Sequence, residues 1–580
     1  MRHMSMSLSP ARRGLLLILI VRGVLVLAYA AHLPLWQPMD EYSHYQVSRF
    51  IAAEGRLPTR ADAPDLPPDR AIYVQYEQPF LFYLMSAIPA VLFDDQSQMP
   101  TPAPLAQCPA TASYRNLVMR GDITPLQRAG WALRAVNMLI GVLSVAALWA
   151  AVRVLLPERV FFAHFSALYL ALYPPAIALS AWINNDNLLI LLGALFLLFA
   201  ARCQQASATW RAWLALAVVV IACVLTKLTG LAAVLVFVLL MLWRLRRYSR
   251  YALLAGAGAL AIGMAAFVAL NLARCGAVVC RIYRYSLPFA SWGEFWLSWT
   301  GLDYVEVLRR LTWSATIPHL FSTHAPSALA HLAVLALLLL GWGLALAYTV
   351  RPAGRRLWLA WGLIGGAEGL LLARVWWLQV EFAAMRYFAV ALPALMLLLV
   401  VGYQRLRVPY RLWGLVLVFG VVNLVAITQY YRPLYQAPVL AQLPADVTPV
   451  TDYRFPQGLT LLAYRVETGA EWDTLYTYWR TDRPQDAPWV AQADLLSTAG
   501  VIRDSCTMVL GTGQWATTVW QTQTIIVHAF TFPQMHDAAS FRVVLYPLVV
   551  RDYITATYDA RQPIAPTVPE TRIPLDQKKP

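Results

Sequence analysis

Gln37-Pro38-Met39-Asp40-Glu41-Tyr42-Ser43-His44 follows directly on an apolar run from Gly14 to Leu35. The run is long enough to cross a bilayer, so two adjacent acids stand at the exit of a membrane helix, with a histidine three residues after the second. Charges at a membrane face cost free energy unless they are solvated, paired or used in function. A solvated helix end is the plain reading of the pair taken alone.

The composition fixes the class around this stretch. Of 580 residues, 59% are hydrophobic and 13% charged, where soluble domains run nearer half and a quarter. The chain reads as a polytopic membrane protein. Its net charge of +15 is then no nucleic-acid footprint, because Arg and Lys accumulate in cytoplasmic loops. Lys227, Lys578 and Lys579 are the lysines, so arginine carries nearly all the positive charge. The first apolar run reads as a retained signal anchor. The cysteines show no CxxC or zinc spacing. Cys275 and Cys280 fall in an expected external loop, where an oxidising compartment would let them pair.

Eleven stretches suit spanning helices: 14–35, 131–154, 160–180, 187–201, 211–227, 229–243, 251–272, 328–350, 357–375, 386–402 and 411–429. The short loops set their direction. Arg12-Arg13, Arg153 with Arg159, Arg244 to Arg250, Arg351 to Arg356 and Arg405 to Arg411 all fall on one side with this count. The positive-inside rule makes that side cytoplasmic. The N-terminus is expected in the cytoplasm of a cell whose plasma or inner membrane holds the chain. The opposite face then receives a long loop 36–130, the turn Trp182 to Asn187, a Trp- and Tyr-rich loop 273–327, and everything after Tyr430.

The first loop has structure of its own. Tyr42 to Glu54 can form an amphipathic helix closed by Gly55. Gln78-Pro79 opens an apolar run to Phe93 that is too short to span and suits an interfacial helix. After Tyr430, the stretches 459–466, 474–480, 490–496, 508–510, 524–530 and 540–546 alternate and are rich in β-branched and aromatic residues. They read as strands of an all-β sandwich. The expected organisation is a transmembrane domain 1–435, an extracytoplasmic sandwich 436–559 and a disordered tail 560–580.

Charges at the external helix mouths are the candidates for chemistry. On a helix, Asp40 and Glu41 point about 100° apart, so one is assigned to chemistry and the other to orientation or to holding the loop. His44 lies one turn beyond Asp40 on the same face. Asn184-Asn185-Asp186-Asn187 is a polar turn between apolar runs, suited equally to helix capping. Lys227 closes the fifth span, and Arg386-Tyr387 opens the tenth. An arginine binds phosphate oxygens in a fork and keeps its charge on burial. Glu368 and Arg374 are expected to pair with each other. Carboxylates for a general base and cations for a phosphate thus share one membrane face. There is no Walker loop and no GxGxxG after a strand.

These motifs resemble a family. Asp40-Glu41-Tyr42-Ser43-His44, with the following helix ending in Glu54-Gly55-Arg56-Leu57-Pro58, is similar to the first external loop of GT-C glycosyltransferases. These are the polyprenyl-phosphate-sugar-dependent enzymes related to protein mannosyltransferases and aminoarabinose transferases. Gln78-Pro79-Phe80-Leu81-Phe82-Tyr83-Leu84 resembles their His-Pro-Pro-Leu-Tyr-Tyr-Leu-Leu segment, with Gln for His. Asn185-Asp186, Leu225-Thr226-Lys227-Leu228-Thr229-Gly230 and Arg386-Tyr387 with Pro393 also have counterparts, in order, across residues 14–430. The resemblance implies an inverting sugar transfer from a polyprenyl-phosphate-linked donor to a protein, glycan or lipid acceptor. It implies Asp40 as base, Asp186 as a second acid, and Lys227, Arg386 and Tyr387 around the donor phosphate. Glu41 joins the catalytic acids, and His44 and Gln78 stand on the acceptor and loop side. A divalent cation on Asp40 and Asp186 is left open by the family's varied metal dependence. Asp473 to Arg480 and Gly513 to Trp520 resemble the sandwich appended to some bacterial members. Two rivals stand beside this reading: a transporter or flippase of lipid-linked sugars, and a non-catalytic scaffold presenting the sandwich.

Overall fold

The computed structural model describes residues 9–33, 35, 41–59, 62, 78–93, 101–102, 117–118, 124–205, 208–244, 250–278, 280, 291, 293, 301, 303–316, 328–378, 384–406, 410–431, 439–451, 453–468, 473–485, 489–510, 520–532, 535, 538–550, 556–558 and 572–575. It divides into two compact units, 1–94 with 127–435, and 95–126 with 436–580.

Helices coincide with all eleven expected spans. In chain order the helices are α1 (Pro10–His32), α2 (Glu41–Glu54), α3 (Leu81–Phe93), α4 (Thr124–Leu155), α5 (Val160–Leu172), α6 (Pro174–Ala181), α7 (Asp186–Gln204) and α8 (Trp210–Thr226). They continue as α9 (Leu231–Arg244), α10 (Arg250–Cys275), α11 (Tyr304–Thr316), α12 (Ala328–Thr349), α13 (Trp358–Leu378), α14 (Leu392–Tyr403) and α15 (Arg411–Val425). By length and composition, α1, most of α4, α7, α10 and the segment Met385–Tyr403 can each cross a membrane, and the bent pair α5–α6 can cross as one. The chain is a mainly helical polytopic membrane protein.

The third expected span is broken. Pro174 lacks the amide hydrogen that would continue α5, and α6 leaves at 60° to it. Elsewhere small residues let helix backbones approach closely. Gly362 and Gly366 of α13 lie against Val236 and Ala232 of α9, and Gly402 of α14 lies against the backbone of Gly341 in α12.

The first-loop helices form as expected. Gly55 takes φ +64° at the end of α2, a conformation that costs glycine nothing and closes the helix. Helix α3 buries Phe82, Tyr83, Ser86 and Ala90 and exposes Ile88, Val91, Leu92 and Phe93, an apolar outer face that suits a bilayer surface. Helix α11, inside the loop 273–327, was not expected. Cys275 and Cys280 are joined in a disulfide.

The second unit is a sandwich of two antiparallel sheets, ordered β11-β10-β7-β8 with β12 on β10, and β3-β9-β6-β5-β4. The six long strands are β5 (Leu459–Glu467), β6 (Asp473–Thr481), β7 (Trp489–Leu496), β8 (Ile502–Val509), β9 (Ile525–Phe532) and β10 (Ser540–Val550). The short ones are β3 (Val439–Leu440), β4 (Thr448–Pro449), β11 (Ala556–Tyr558) and β12 (Ile573–Pro574); β1 (Thr101–Pro102) pairs separately with β2 (Leu117–Val118). Strand β8 begins six residues before its expected start, because Arg503, Asp504 and Ser505 hide its alternation. Trp479, Phe455, Trp520 and Phe541 meet in the core between the sheets, so these aromatics pack rather than face a ligand. The expected disordered tail is corrected in one place: Ile573 is buried and pairs with Phe541. The rest of 560–580, apart from 572–575, lies outside the described residues.

Candidate active site

Asp40 lies outside the described residues, so the site is built from its neighbour. Glu41 opens α2 with a side chain closed to solvent. Arg134 of α4 donates Nε to Glu41 Oε1 and Nη2 to Oε2, each at 2.7 Å, and the amide of Ile183 donates to Oε1 at 3.0 Å. Arg134 is equally buried and also donates Nη1 to the carbonyls of Leu33 and Ala30 at the end of α1. Bidentate geometry with every other contact a hydrogen bond is what makes such a pair tolerable in a low-dielectric interior. The pair ties α1, α2, α4 and the turn before α7 together.

That turn carries the second acid. Asn184 Oδ1 accepts the amide of Asn187, and Asn184 Nδ2 donates to the carbonyls of Leu179 and Trp182. Asn184 thus satisfies an amide of the first turn of α7, where Asp186 stands at the first position. Asp186 is 2% exposed. Its Oδ1 lies 2.5 Å from Lys227 Nζ. Lys227 reaches it because the chain turns extended there, between the end of α8 and the short turn Leu228–Gly230. Gly230 is required at that turn, since a Cβ would collide with the Cys223 backbone.

Arg386 and Tyr387 come from the 3-10 segment Met385–Ala391, which precedes α14. Lys227 Nζ stands 5.3 Å and Arg386 Cζ 5.1 Å from the Tyr387 ring centroid, both within cation–π range. Arg386 Nη2 also lies 3.2 Å from the Tyr387 hydroxyl. The segment packs tightly on α7, where Gly193 faces the Val390 carbonyl with no room for a Cβ. The Met385 amide donates to Ser314 Oγ of α11 at 2.8 Å. Gln78 joins from the first loop: Asn185 Nδ2 donates to its Oε1 at 2.5 Å and to the Thr226 carbonyl at 3.2 Å. Asp186, Lys227, Arg386, Tyr387 and Gln78 thus meet, from stretches far apart in sequence.

His44 does not join them by any described contact. It is 3% exposed, its Nδ1 lies 2.9 Å from the Tyr83 hydroxyl, and its ring stacks on Tyr83. It fixes α2 to α3. Glu368 lies exposed near the middle of α13, and the side chain of Arg374, its expected partner, is not among those described. Among the described residues no three His, Cys, Asp or Glu side chains group to hold a metal. Asp186 offers one carboxylate, and its expected partner Asp40 is not described.

A family model matches the segment that holds both Asp186 and Lys227. Residues 123–269 match the model of the dolichyl-phosphate-mannose-protein mannosyltransferases. Arg134 falls in the same segment. No curated protein matches the chain by sequence. Among solved structures, the chain is similar to ArnT from Cupriavidus metallidurans bound to undecaprenyl phosphate, at 20% identity and a TM-score of 0.43, over 74% of this chain and 66% of that one. It is also similar to the oligosaccharyltransferase AglB from Archaeoglobus fulgidus in complex with an inhibitory peptide and a dolichol-phosphate. There the identity is 13% and the TM-score 0.37, over 73% of this chain and 56% of that one. The chain therefore spans just under two thirds of the ArnT chain and just over half of the AglB chain.

Sequence reasoning missed three residues. Arg134, Arg22 and Asn137 are all fully or almost fully buried polar groups on membrane helices. A charge or amide inside an apolar run was the available signal.

Proposed function

We propose that the protein is a membrane glycosyltransferase that moves a sugar from a polyprenyl-phosphate-linked donor to an acceptor on the extracytoplasmic face. The convergence of Asp186, Lys227, Arg386 and Tyr387, partly inside a segment matching the mannosyltransferase model, carries this reading. Lys227 and Arg386 bind the donor phosphate and stabilise the charge that develops as the sugar leaves. Asp186 holds the Lys227 ammonium in place until the phosphate arrives. Asp40, next in sequence to the anchored Glu41, takes the proton from the attacking hydroxyl, and attack opposite the phosphate inverts the sugar. Protein, glycan and lipid hydroxyls all suit this chemistry.

Purified protein incubated with labelled polyprenyl-phosphate sugars and a panel of acceptors tests the reading. Transfer is expected with one donor, and Asp40→Asn is expected to abolish it while leaving expression intact. Near-normal turnover in Asp40→Asn would sink the assignment of the base. Transport of the labelled lipid across vesicles with no transfer would favour the flippase.

A further inference from the structure

Helix α1 carries a charge in mid-run. Arg22 lies between Val21 and Gly23, and nothing of it reaches solvent. Among the described residues it has no carboxylate partner. Its Nη1 donates to the carbonyls of Leu170 and Ala171, and its Nη2 donates to the Ala176 carbonyl and to Ser180 Oγ, both at 2.7 Å. The Leu170 and Ala171 carbonyls are freed where α5 breaks, because Pro174 and Pro175 bring no amide hydrogen to them, while Ala176 lies in the first turn of α6. A helix C-terminus is the negative end of the helix dipole, which favours a cation there.

The contacts continue toward the site in one direction. Ser180 has a single O–H. Within its own helix that hydrogen would go to the Ala176 carbonyl, 2.8 Å away, the usual back-bond of a helical serine. Arg22 also donates to that carbonyl and to Ser180 Oγ, which leaves Asn187 Oδ1, at 2.7 Å, as the less contested acceptor for the hydroxyl. An amide whose oxygen is taken presents its NH2 group to the next partner. Asn187 Nδ2 donates to the carbonyl and to Oδ1 of Asn137, and Asn137 Nδ2 donates to the carbonyls of Leu179 and Trp182. Trp182 opens the turn that ends at Asp186. Gly141 leaves space for this relay, since a Cβ there would run into Ser180 Oγ.

We propose that Arg22 is a positioning residue for the candidate site, setting the Trp182–Asp186 turn through Ser180, Asn187 and Asn137. A guanidinium only donates, so with Arg22 at the head Ser180 Oγ accepts there and keeps its own hydrogen to pass onward. The turn is then held from two sides: this relay grips the Trp182 carbonyl, and the Arg134–Glu41 pair grips the Ile183 amide. The proposal rests on the reading of Asp186 and Lys227 as site residues, but its geometry does not.

Hydrogen–deuterium exchange of the full-length protein in detergent tests it, alongside binding of undecaprenyl phosphate. Arg22→Met and Ser180→Ala are expected to speed exchange at 182–187 about tenfold, the effect of losing one net hydrogen bond. Exchange in α8 and α14 is expected to stay as in the wild type. Gly141→Ala should reproduce the effect without removing a charge, and Arg22→Lys should restore part of the protection, since an ammonium still donates to Ser180. Undecaprenyl phosphate should bind several-fold more weakly in Arg22→Met than in Arg22→Lys. Wild-type exchange at 182–187 in Ser180→Ala overturns the proposal, as does a rise spread evenly over all helices in both Ser180→Ala and Gly141→Ala. If Lys227→Ala binds the lipid as the wild type does, the reading of the site fails. The relay is then judged on exchange alone.

Discussion

Lys227 Nζ lies 2.5 Å from Asp186 Oδ1 while the same ammonium stands 5.3 Å from the ring of Tyr387. One cation thus joins the first turn of α7 to the segment that carries Arg386. In the proposed enzyme, Lys227→Ala should chiefly weaken donor binding, and so should Arg386→Ala. An unchanged donor KM in both variants would count against the phosphate role. The pair is nearly closed to solvent, with side-chain exposures of 12% and 3%. Removing one partner leaves the other charge buried, at a cost of about 3–5 kcal/mol. Asp186→Asn with Lys227→Met together should recover most of that stability and no transfer, as read by urea unfolding and by turnover.

Glu41 and Arg134 should behave as structural groups. Arg134→Met is expected to destabilise the helical unit by about 3–5 kcal/mol, because it strands a buried carboxylate. Glu41→Gln should cost less, since the amide oxygen still accepts from Arg134. It should retain measurable transfer where Asp40→Asn retains none. Equal loss of turnover in the two, at equal expression, would return Glu41 to the chemistry.

Gly193 sets the distance between α7 and the segment bearing Arg386 and Tyr387. A methyl group there must displace the Val390 carbonyl. Gly193→Ala is expected to cost about 1–3 kcal/mol through overpacking and to lower donor affinity, although the residue touches no substrate. Wild-type donor KM in a folded Gly193→Ala would remove this link.

His528 makes the sandwich sensitive to acid. It is fully buried on β9, and burial pushes its pKa from 6.5 down to about 3. The unfolded chain therefore binds a proton that the folded chain refuses between those values. Stability is fully present above about pH 6.5 and falls with pH by up to about 1.4 kcal/mol per unit toward the folded value. Pulse proteolysis of the sandwich in the full-length protein, from pH 7.5 to 4.5, should show this loss. His528→Phe should flatten the profile, and an unchanged slope in that variant would contradict the assignment.

The pattern of apolar runs was enough to place helices at the expected stretches, and alternation was enough to place five of the six long strands, β8 being hidden by Arg503, Asp504 and Ser505. Both are local signals, repeated at 3.6 or 2 residues, and burial of one face enforces them. The candidates were legible as charges at helix mouths: Asp186, Lys227 and Arg386 could be named because charged groups are costly there, whereas Gln78 came from the resemblance alone. Their pairing was not legible. Nothing within Asp40-Glu41 shows that the second acid is the one sealed by Arg134, because that choice depends on how α4 packs against the end of α1. His44 looked like a site residue on its helical face, and Tyr83, thirty-nine positions away, claimed it.

The amino-acid sequence by itself determined the class, the helices, the sandwich and the short roster of charged candidates, since each follows from hydropathy or from residue type at one place in the chain. Tertiary structure alone decided which charges meet. It put Lys227 on Asp186, Arg134 on Glu41 and Arg22 on the broken end of α5. The physical reason is that a buried charge is tolerated only where partners converge on it, and those partners come from helices that the chain brings together only when it folds.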